Sequence, residues 1–289
     1  MILYPNAKIN IGLNVLEKRE DGFHNLETLF YPVGVVENPS DGLVPQQVVD
    51  VLEIVEAPQL QMHQYGIEYP GDPMDNLCVK AYKALRKDFD IPPVAIHLYK
   101  KIPVGAGLGG GSSDAAFTLR GLNEMFSLGL SDAQLAVYAA TLGSDCAFFI
   151  YNRPMIGEGR GEVLSEYPVS GLDYGQNPAD EVFECAKGES AQENMAAAYE
   201  ITVLTPEGIA VSTADAYRGI KPQLPEIPLK EALAKPVEEW KDCLFNDFET
   251  TVFDKHPELA AIKRSLYDSG AVYASMSGSG SALFAIYRK

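Results

Sequence analysis

The chain has 289 residues and a formal net charge of −17, from 23 Lys and Arg against 40 Asp and Glu. Such an acidic surface repels nucleic acid and anionic membranes, so neither is expected as a partner. No run reaches the roughly 20 apolar residues of a membrane helix, residues 1–8 lack the basic region and long apolar core of a signal peptide, and the length suits two domains. Cys78, Cys146, Cys185 and Cys243 lie far apart without metal-type spacing and read as the reduced thiols of a cytoplasmic protein.

The first third reads as strands over residues 7–16, 27–36 and 48–55. Asp75-Asn76-Leu77 then opens a helix running to about Phe89, with Leu77, Ala81, Ala84 and Leu85 on one face. A strand over 94–99 leads into a glycine-rich loop and a second helix carrying Ala115, Leu119, Leu122 and Phe126. Ser131 and Gln134 form a capping box for a third helix, which Gly143 ends. The apolar run Cys146-Ala147-Phe148-Phe149-Ile150-Tyr151 reads as a buried strand. Texture changes after Gly157-Glu158-Gly159-Arg160-Gly161-Glu162, which places a domain boundary near 165. Residues 171–198 are polar and acidic, with room for a short helix over 192–199. A strand over 199–204, helices over 238–253 and 257–269, and a strand, Gly/Ser turn and strand over 272–287 complete the chain.

The loop itself is Lys101-Ile102-Pro103-Val104-Gly105-Ala106-Gly107-Leu108-Gly109-Gly110-Gly111-Ser112-Ser113-Asp114. Glycines let successive N–H groups converge without a Cβ in the way, and the following helix adds unpaired N–H groups and its positive dipole end. That is an anion cradle, and phosphate is the expected anion. Gly105, Gly107 and Gly110 fit a dinucleotide fingerprint, but no acidic residue ends a second strand about 20 residues on. No lysine follows the glycines as in a Walker loop, and the strand lysine, His-Arg-Asp and Asp-Phe-Gly of a protein kinase are missing. An acidic protein that binds phosphate must gather its few cations or use Mg²⁺; Lys8, Lys18, Arg19, Lys100 and Lys101 are the nearby candidates.

Two further segments join this loop: Ala7-Lys8-Ile9-Asn10 with Gly22-Phe23-His24-Asn25-Leu26-Glu27-Thr28-Leu29-Phe30 near the start, and Ser275-Met276-Ser277-Gly278-Ser279-Gly280-Ser281 at the end. Together they resemble the superfamily of galactokinase, homoserine kinase, mevalonate kinase and phosphomevalonate kinase. The first segment resembles, more narrowly, the 4-diphosphocytidyl-2-C-methyl-D-erythritol kinases of non-mevalonate isoprenoid synthesis.

The resemblance implies an α+β fold in two domains. Residues 1–165 would form a ribosomal-protein-S5-domain-2-like nucleotide-binding domain, and 166–289 a ferredoxin-like domain completing the substrate site. It implies Asp145 as base and Lys8 as its cationic partner, ATP with Mg²⁺ as cofactors, and a small-molecule acceptor, in a monomer or homodimer. ATP would lie on Pro103, Val104, Gly105, Ala106, Gly107, Leu108, Gly109, Gly110, Gly111, Ser112 and Ser113, with Asn76 and Lys100 toward the adenine and ribose. Ser112 or Ser113 would meet Mg²⁺. Asn10 would bind the acceptor hydroxyls, His24 the cytosine edge, and Phe23 and Tyr217 its two faces. Another small-alcohol kinase of the superfamily, or an inactive nucleotide-binding member, is the alternative. Residues 37–50 and 171–198 exceed the family's expected lengths, and neither is expected to touch the motifs.

Overall fold

The computed structural model describes residues 1–36, 47–68, 71–169, 171–172 and 198–289. The first sheet has the order β1-β6-β8-β7, built from β1 (Ile2–Leu3), β6 (Val51–Glu56), β7 (Gln61–Gly66) and β8 (Val94–Lys100). Only β7 and β8 run parallel in it. Helices α1 (Leu77–Arg86) and α2 (Gly110–Met125) cover one face, where Leu52, Ile54, Ile96 and Leu98 meet Val79, Tyr82, Phe117 and Leu119 in a first core. Asn76 starts α1 by accepting the Cys78 N–H on its side chain at 2.8 Å. Helix α3 (Asp132–Ala140) carries the expected Ser131–Gln134 capping box.

The second sheet is antiparallel, in the order β10-β9-β3-β2, from β2 (Ala7–Lys18), β3 (His24–Val33), β9 (Met155–Gly159) and β10 (Val163–Glu166). Alternation along β2 sends Ala7, Ile9 and Ile11 into a second core with Leu29, Tyr31, Val203, Leu229, Trp240 and Phe284. The opposite face of the same strand carries Lys8 and Asn10. Near it, β4 (Val35–Val36) and β5 (Gln47–Val48) pair as a short ribbon. The third sheet, β11-β13-β12, comprises β11 (Tyr199–Leu204), β12 (Tyr273–Met276) and β13 (Leu283–Arg288). It packs through Ala274, Met276, Leu283 and Ala285 on Val252, Leu259 and Leu266 of α7 (Phe248–Lys255) and α8 (Pro257–Asp268). The short helices α5 (Thr213–Arg218) and α6 (Leu229–Leu233) precede them.

Two elements differ from expectation. The run Cys146–Tyr151 is helix α4, not a strand. Six apolar residues have no period that separates the two states, and the run packs against α2 and α3 rather than joining a sheet. The helix expected over 238–253 is two pieces, a 3-10 turn at Val237–Asp242 and α7. The residues between give their backbone to β2 instead: the Leu13 N–H donates to the Phe245 carbonyl at 2.8 Å and the Asp247 N–H to the Leu13 carbonyl at 2.9 Å. The helix expected over 192–199 lies almost wholly outside the described residues, and Tyr199 begins β11.

Candidate active site

Three distant segments meet at the glycine loop. The Lys8 N–H donates to the Leu108 carbonyl at 2.9 Å, and the Ala282 N–H to the Ala106 carbonyl at 3.1 Å. From the C-terminal turn the Ser277 hydroxyl donates to the Gly107 carbonyl at 3.0 Å. Asn246 braces that turn by donating to the Met276 and Gly278 carbonyls at 2.7 and 2.8 Å. The loop is thus held between β2 and the β12–β13 turn. Gly107 has φ +79° and lies so close to Ser277 that a Cβ would sit 2.1 Å from its carbonyl oxygen. Gly109, at φ +71°, is the N-cap of α2 and gives it no side-chain cap bond. The first N–H groups of α2 therefore have no capping side chain, and Gly109 and Ser112 at that helix start line the cleft where an anion could meet them.

Beside this cradle sits a Lys–Asp pair. The Lys8 ammonium is buried; it lies 3.5 Å from Asp145 Oδ2 and donates to Asn10 Oδ1 at 2.6 Å and to the Gly107 carbonyl at 2.9 Å. Burial pulls its pKa below the ordinary lysine value, and the Asp145 charge works against that pull. Asp145 opens α4 without capping it, so its carboxylate stays toward Lys8, with the Ser144 hydroxyl donating to Oδ1 at 3.0 Å. Asn10 donates to the Thr28 hydroxyl at 3.1 Å, which donates to the Gly12 carbonyl at 2.6 Å. A cleft of about 340 Å³ joins Lys8, Asn10, Gly105, Gly107, Gly109, Ser112, Asp145 and Tyr217.

At one end of the cleft the His24 ring stacks on Tyr217, centroids 4.9 Å apart, and Tyr217 meets Phe248 edge-on at 4.7 Å. Burial and the nearby Lys18 charge hold the His24 pKa below the usual histidine value, which favours the neutral ring near pH 7. Phe23 is half exposed and lies under the Arg160 guanidinium at 4.9 Å, apart from the His24–Tyr217 stack.

The remaining expected residues divide by burial. Ser112 lines the cleft, whereas Ser113 is buried with its hydroxyl unpartnered among the described residues. Pro103 and Val104 lie toward the outer side of the loop, with Val104 exposed, while Ala106, Leu108 and Gly110 are buried and Gly111 is exposed. Asn76 uses its side-chain oxygen to cap α1. Lys100, expected at the nucleotide, is instead buried beneath the loop, in ion pairs with Asp50 and with Asp114 at 2.9 Å. Its two carboxylate partners already satisfy its charge, which is why it turns away from the cleft. Asp50 also accepts the Lys101 and Ile102 N–H groups on Oδ1 at 2.6 and 2.9 Å. The stretch 37–50 therefore does touch the loop. Asp50, Thr28, Phe30, Arg160 and Asn246 are site residues that sequence reasoning passed over. The acid of Ser112-Ser113-Asp114, beside a strand lysine, was the available signal for the buried triad.

A glycine cradle held between two halves, with a buried lysine facing an aspartate, defines a small-molecule kinase. Residues 76–153 match the GHMP kinases N terminal domain and 229–289 the GHMP kinases C terminal domain. The chain is 49% identical to a 4-diphosphocytidyl-2-C-methyl-D-erythritol kinase of Bacteroides thetaiotaomicron, over 99% of its own length and 92% of the relative's. It is 36% identical to one of Chlorobium phaeobacteroides, over 98% and 87%. A crystal structure of 4-(cytidine 5'-diphospho)-2C-methyl-D-erythritol kinase superposes with a TM-score of 0.73 at 29% identity, covering 99% of this chain and 89% of that one. Homoserine kinase from Cytophaga hutchinsonii shares the fold, with a TM-score of 0.62 at 16% identity and coverage of 98% and 85%. The chain belongs to the GHMP kinases, in the family of the 4-diphosphocytidyl-2-C-methyl-D-erythritol kinases, and is an ATP-dependent kinase.

Proposed function

We propose that the chain phosphorylates the 2-hydroxyl of 4-diphosphocytidyl-2-C-methyl-D-erythritol, giving the 2-phosphate and ADP within the non-mevalonate isoprenoid route. The observation that carries the reading is one cleft with an anion cradle, a Lys8–Asp145 pair and an aromatic end at His24 and Tyr217. Asp145 accepts the acceptor hydroxyl's proton. Lys8, 3.5 Å from that carboxylate, offsets charge on the oxygens of the transferred group. Asn10 orients the acceptor hydroxyls, and His24, neutral, offers one donor and one acceptor to the cytosine edge. The N–H groups of the loop and of α2 hold the ATP phosphates.

Mg²⁺ fits as an ion that arrives with ATP. Among the described residues no three His, Cys, Asp or Glu side chains form a metal-holding group, and Mg²⁺ bound mainly through phosphates needs few protein oxygens. The Ser112 hydroxyl, in the cleft, would hold it, and the ion would supply charge neutralisation for the phosphates. Among the described residues no helix is long and apolar enough to cross a membrane, which fits a small-molecule enzyme of the cytoplasm.

An ADP-release assay over a panel of alcohols tests the acceptor: the cytidine-linked alcohol should be turned over and homoserine and mevalonate should not. Asp145→Asn should lower kcat by about 10²–10⁴ while nucleotide binding stays near wild type. Wild-type turnover in that variant would remove Asp145 from the role of base.

A further inference from the structure

The acceptor proposed above joins its base to its alcohol through a diphosphate, so that polyanion has to lie between the two ends of the cleft. Among the described residues that line the cleft, only two carry a cationic side chain, Lys8 and Arg160. Lys8 is committed to Asn10, Gly107 and Asp145 at the reacting end. Arg160 stands at the other. It occupies the turn between β9 and β10, and the pairing of Gly159 with Leu26 brings that turn alongside the His24 end of β3.

The local chain fixes where this guanidinium points. Gly159 and Gly161 both have positive φ, at +71° and +104°, which makes the turn tight. The Arg160 N–H donates to Glu162 Oε2 at 2.5 Å, and the Gly161 N–H to the Glu158 carbonyl at 3.0 Å. The guanidinium then lies over the Phe23 ring at 4.9 Å. Among the described residues its one ion pair is loose, 3.6 Å from Nε to Glu162 Oε1, and the Arg160 side chain is 44% exposed. A planar fork of N–H donors, braced flat on an aromatic ring and only weakly paired, suits the oxygens of a diphosphate. In a chain of net charge −17 a cation that lines the cleft on that side also counts for more, because the surrounding surface repels the ligand.

We propose that Arg160 is a specificity-determining residue that pairs with the diphosphate of the acceptor and so selects a nucleoside-diphosphate-linked alcohol over a bare one. The inference rests on the acceptor reading above. Phe23 acts through it, as the platform that holds the guanidinium in place.

Binding of cytidine 5'-diphosphate and of cytidine, each measured by calorimetry with the nucleotide site saturated by a non-hydrolysable ATP analogue, tests this. Arg160→Met should weaken cytidine 5'-diphosphate about tenfold, the size of one charge-assisted contact at a half-exposed site, and leave cytidine within about twofold. Arg160→Lys should restore part of the loss, since it keeps the charge and loses the fork. In turnover, Arg160→Met should raise KM for the acceptor by a similar factor and move KM for ATP by less than about twofold. Equal weakening of both ligands would assign Arg160 to base stacking and overturn the inference; so would no weakening of either. Wild-type protein that fails to turn over the cytidine-linked alcohol would overturn the acceptor reading, and the inference with it. Wild-type turnover with an unchanged ligand ratio in Arg160→Met would overturn the inference alone.

Discussion

Lys8 and Lys100 are both buried, both touch the glycine-loop region and both face carboxylates, yet they are set up for opposite tasks. Lys100 is enclosed by two acids in a dry interior. Burial works against its ammonium, but the Asp114 and Asp50 charges outweigh burial and hold its pKa above the ordinary lysine value. Lys8 meets one acid at 3.5 Å, and there burial outweighs attraction, so its pKa falls. A lysine whose charge is over-compensated can hold parts of a protein together but cannot recruit an anion. A lysine whose charge is under-compensated gains by meeting one. Distance to the loop does not separate the two roles; the count of nearby carboxylates does.

Neutralising each lysine breaks the comparison most directly. Lys8→Met should lower kcat by about 10³, because the stabilised charge exists mainly in the transition state. Its melting temperature should stay close to wild type, since Asp145 is 27% exposed and can be solvated. Lys100→Met should do the reverse. Removing it takes the ammonium away from the buried Asp50–Asp114 pair, a loss of about 3–5 kcal/mol in stability by denaturant titration. Folded Lys100→Met, assayed well below its transition, should keep the acceptor KM. If Lys8→Met instead melts early and Lys100→Met stays stable while losing turnover, the two roles are exchanged.

The same contrast explains what could be read from the sequence. The glycine loop was legible because its chemistry lies in consecutive residues, and no other composition frees so many backbone N–H groups. The β2, β8, α3 and α8 elements were legible from alternation or helical spacing, and α3 from its cap. Lys8 and Asp145 became a pair only through resemblance, since 137 positions separate them and nothing local marks either. Asp50 was invisible, because its partners are two backbone N–H groups and a lysine from a strand 50 residues away. The residues between the 3-10 turn and α7 read as helix because propensity is local, whereas Leu13 claims their backbone from across the molecule. Arg160 lies close to where a domain boundary was expected, and the turn that carries it is the tip of the β9–β10 hairpin, which pairs with β3 and reaches the cleft.

The finest test concerns the second acid of the buried triad. Burial drives the Asp114 carboxyl upward, Lys100 pulls it down, and the like charge of Asp50 adds to burial, leaving it raised to about 8. Its Oδ1 has no hydrogen-bond partner among the described residues, so a full charge there is poorly compensated. The sign of the linkage follows. Between the ordinary carboxyl range near 4 and about 8, the folded protein holds a proton at Asp114 that the unfolded chain has released. The stability this group contributes is therefore present at the acid end of that window and is lost as pH rises through it, while Lys100 stays charged throughout. Asp114→Asn removes the titration and keeps a side-chain oxygen for the Lys100 ammonium. The melting temperature of Asp114→Asn relative to wild type should thus climb steadily between pH 5 and about pH 8, by more than the 2–4 °C that about 1 kcal/mol is worth in a chain of this length. Other carboxylates and histidines titrate alike in both proteins and cancel in the difference. A pH-independent offset would mean that Asp114 is ionised in the folded protein across the whole window, with Lys100 balancing two charged acids.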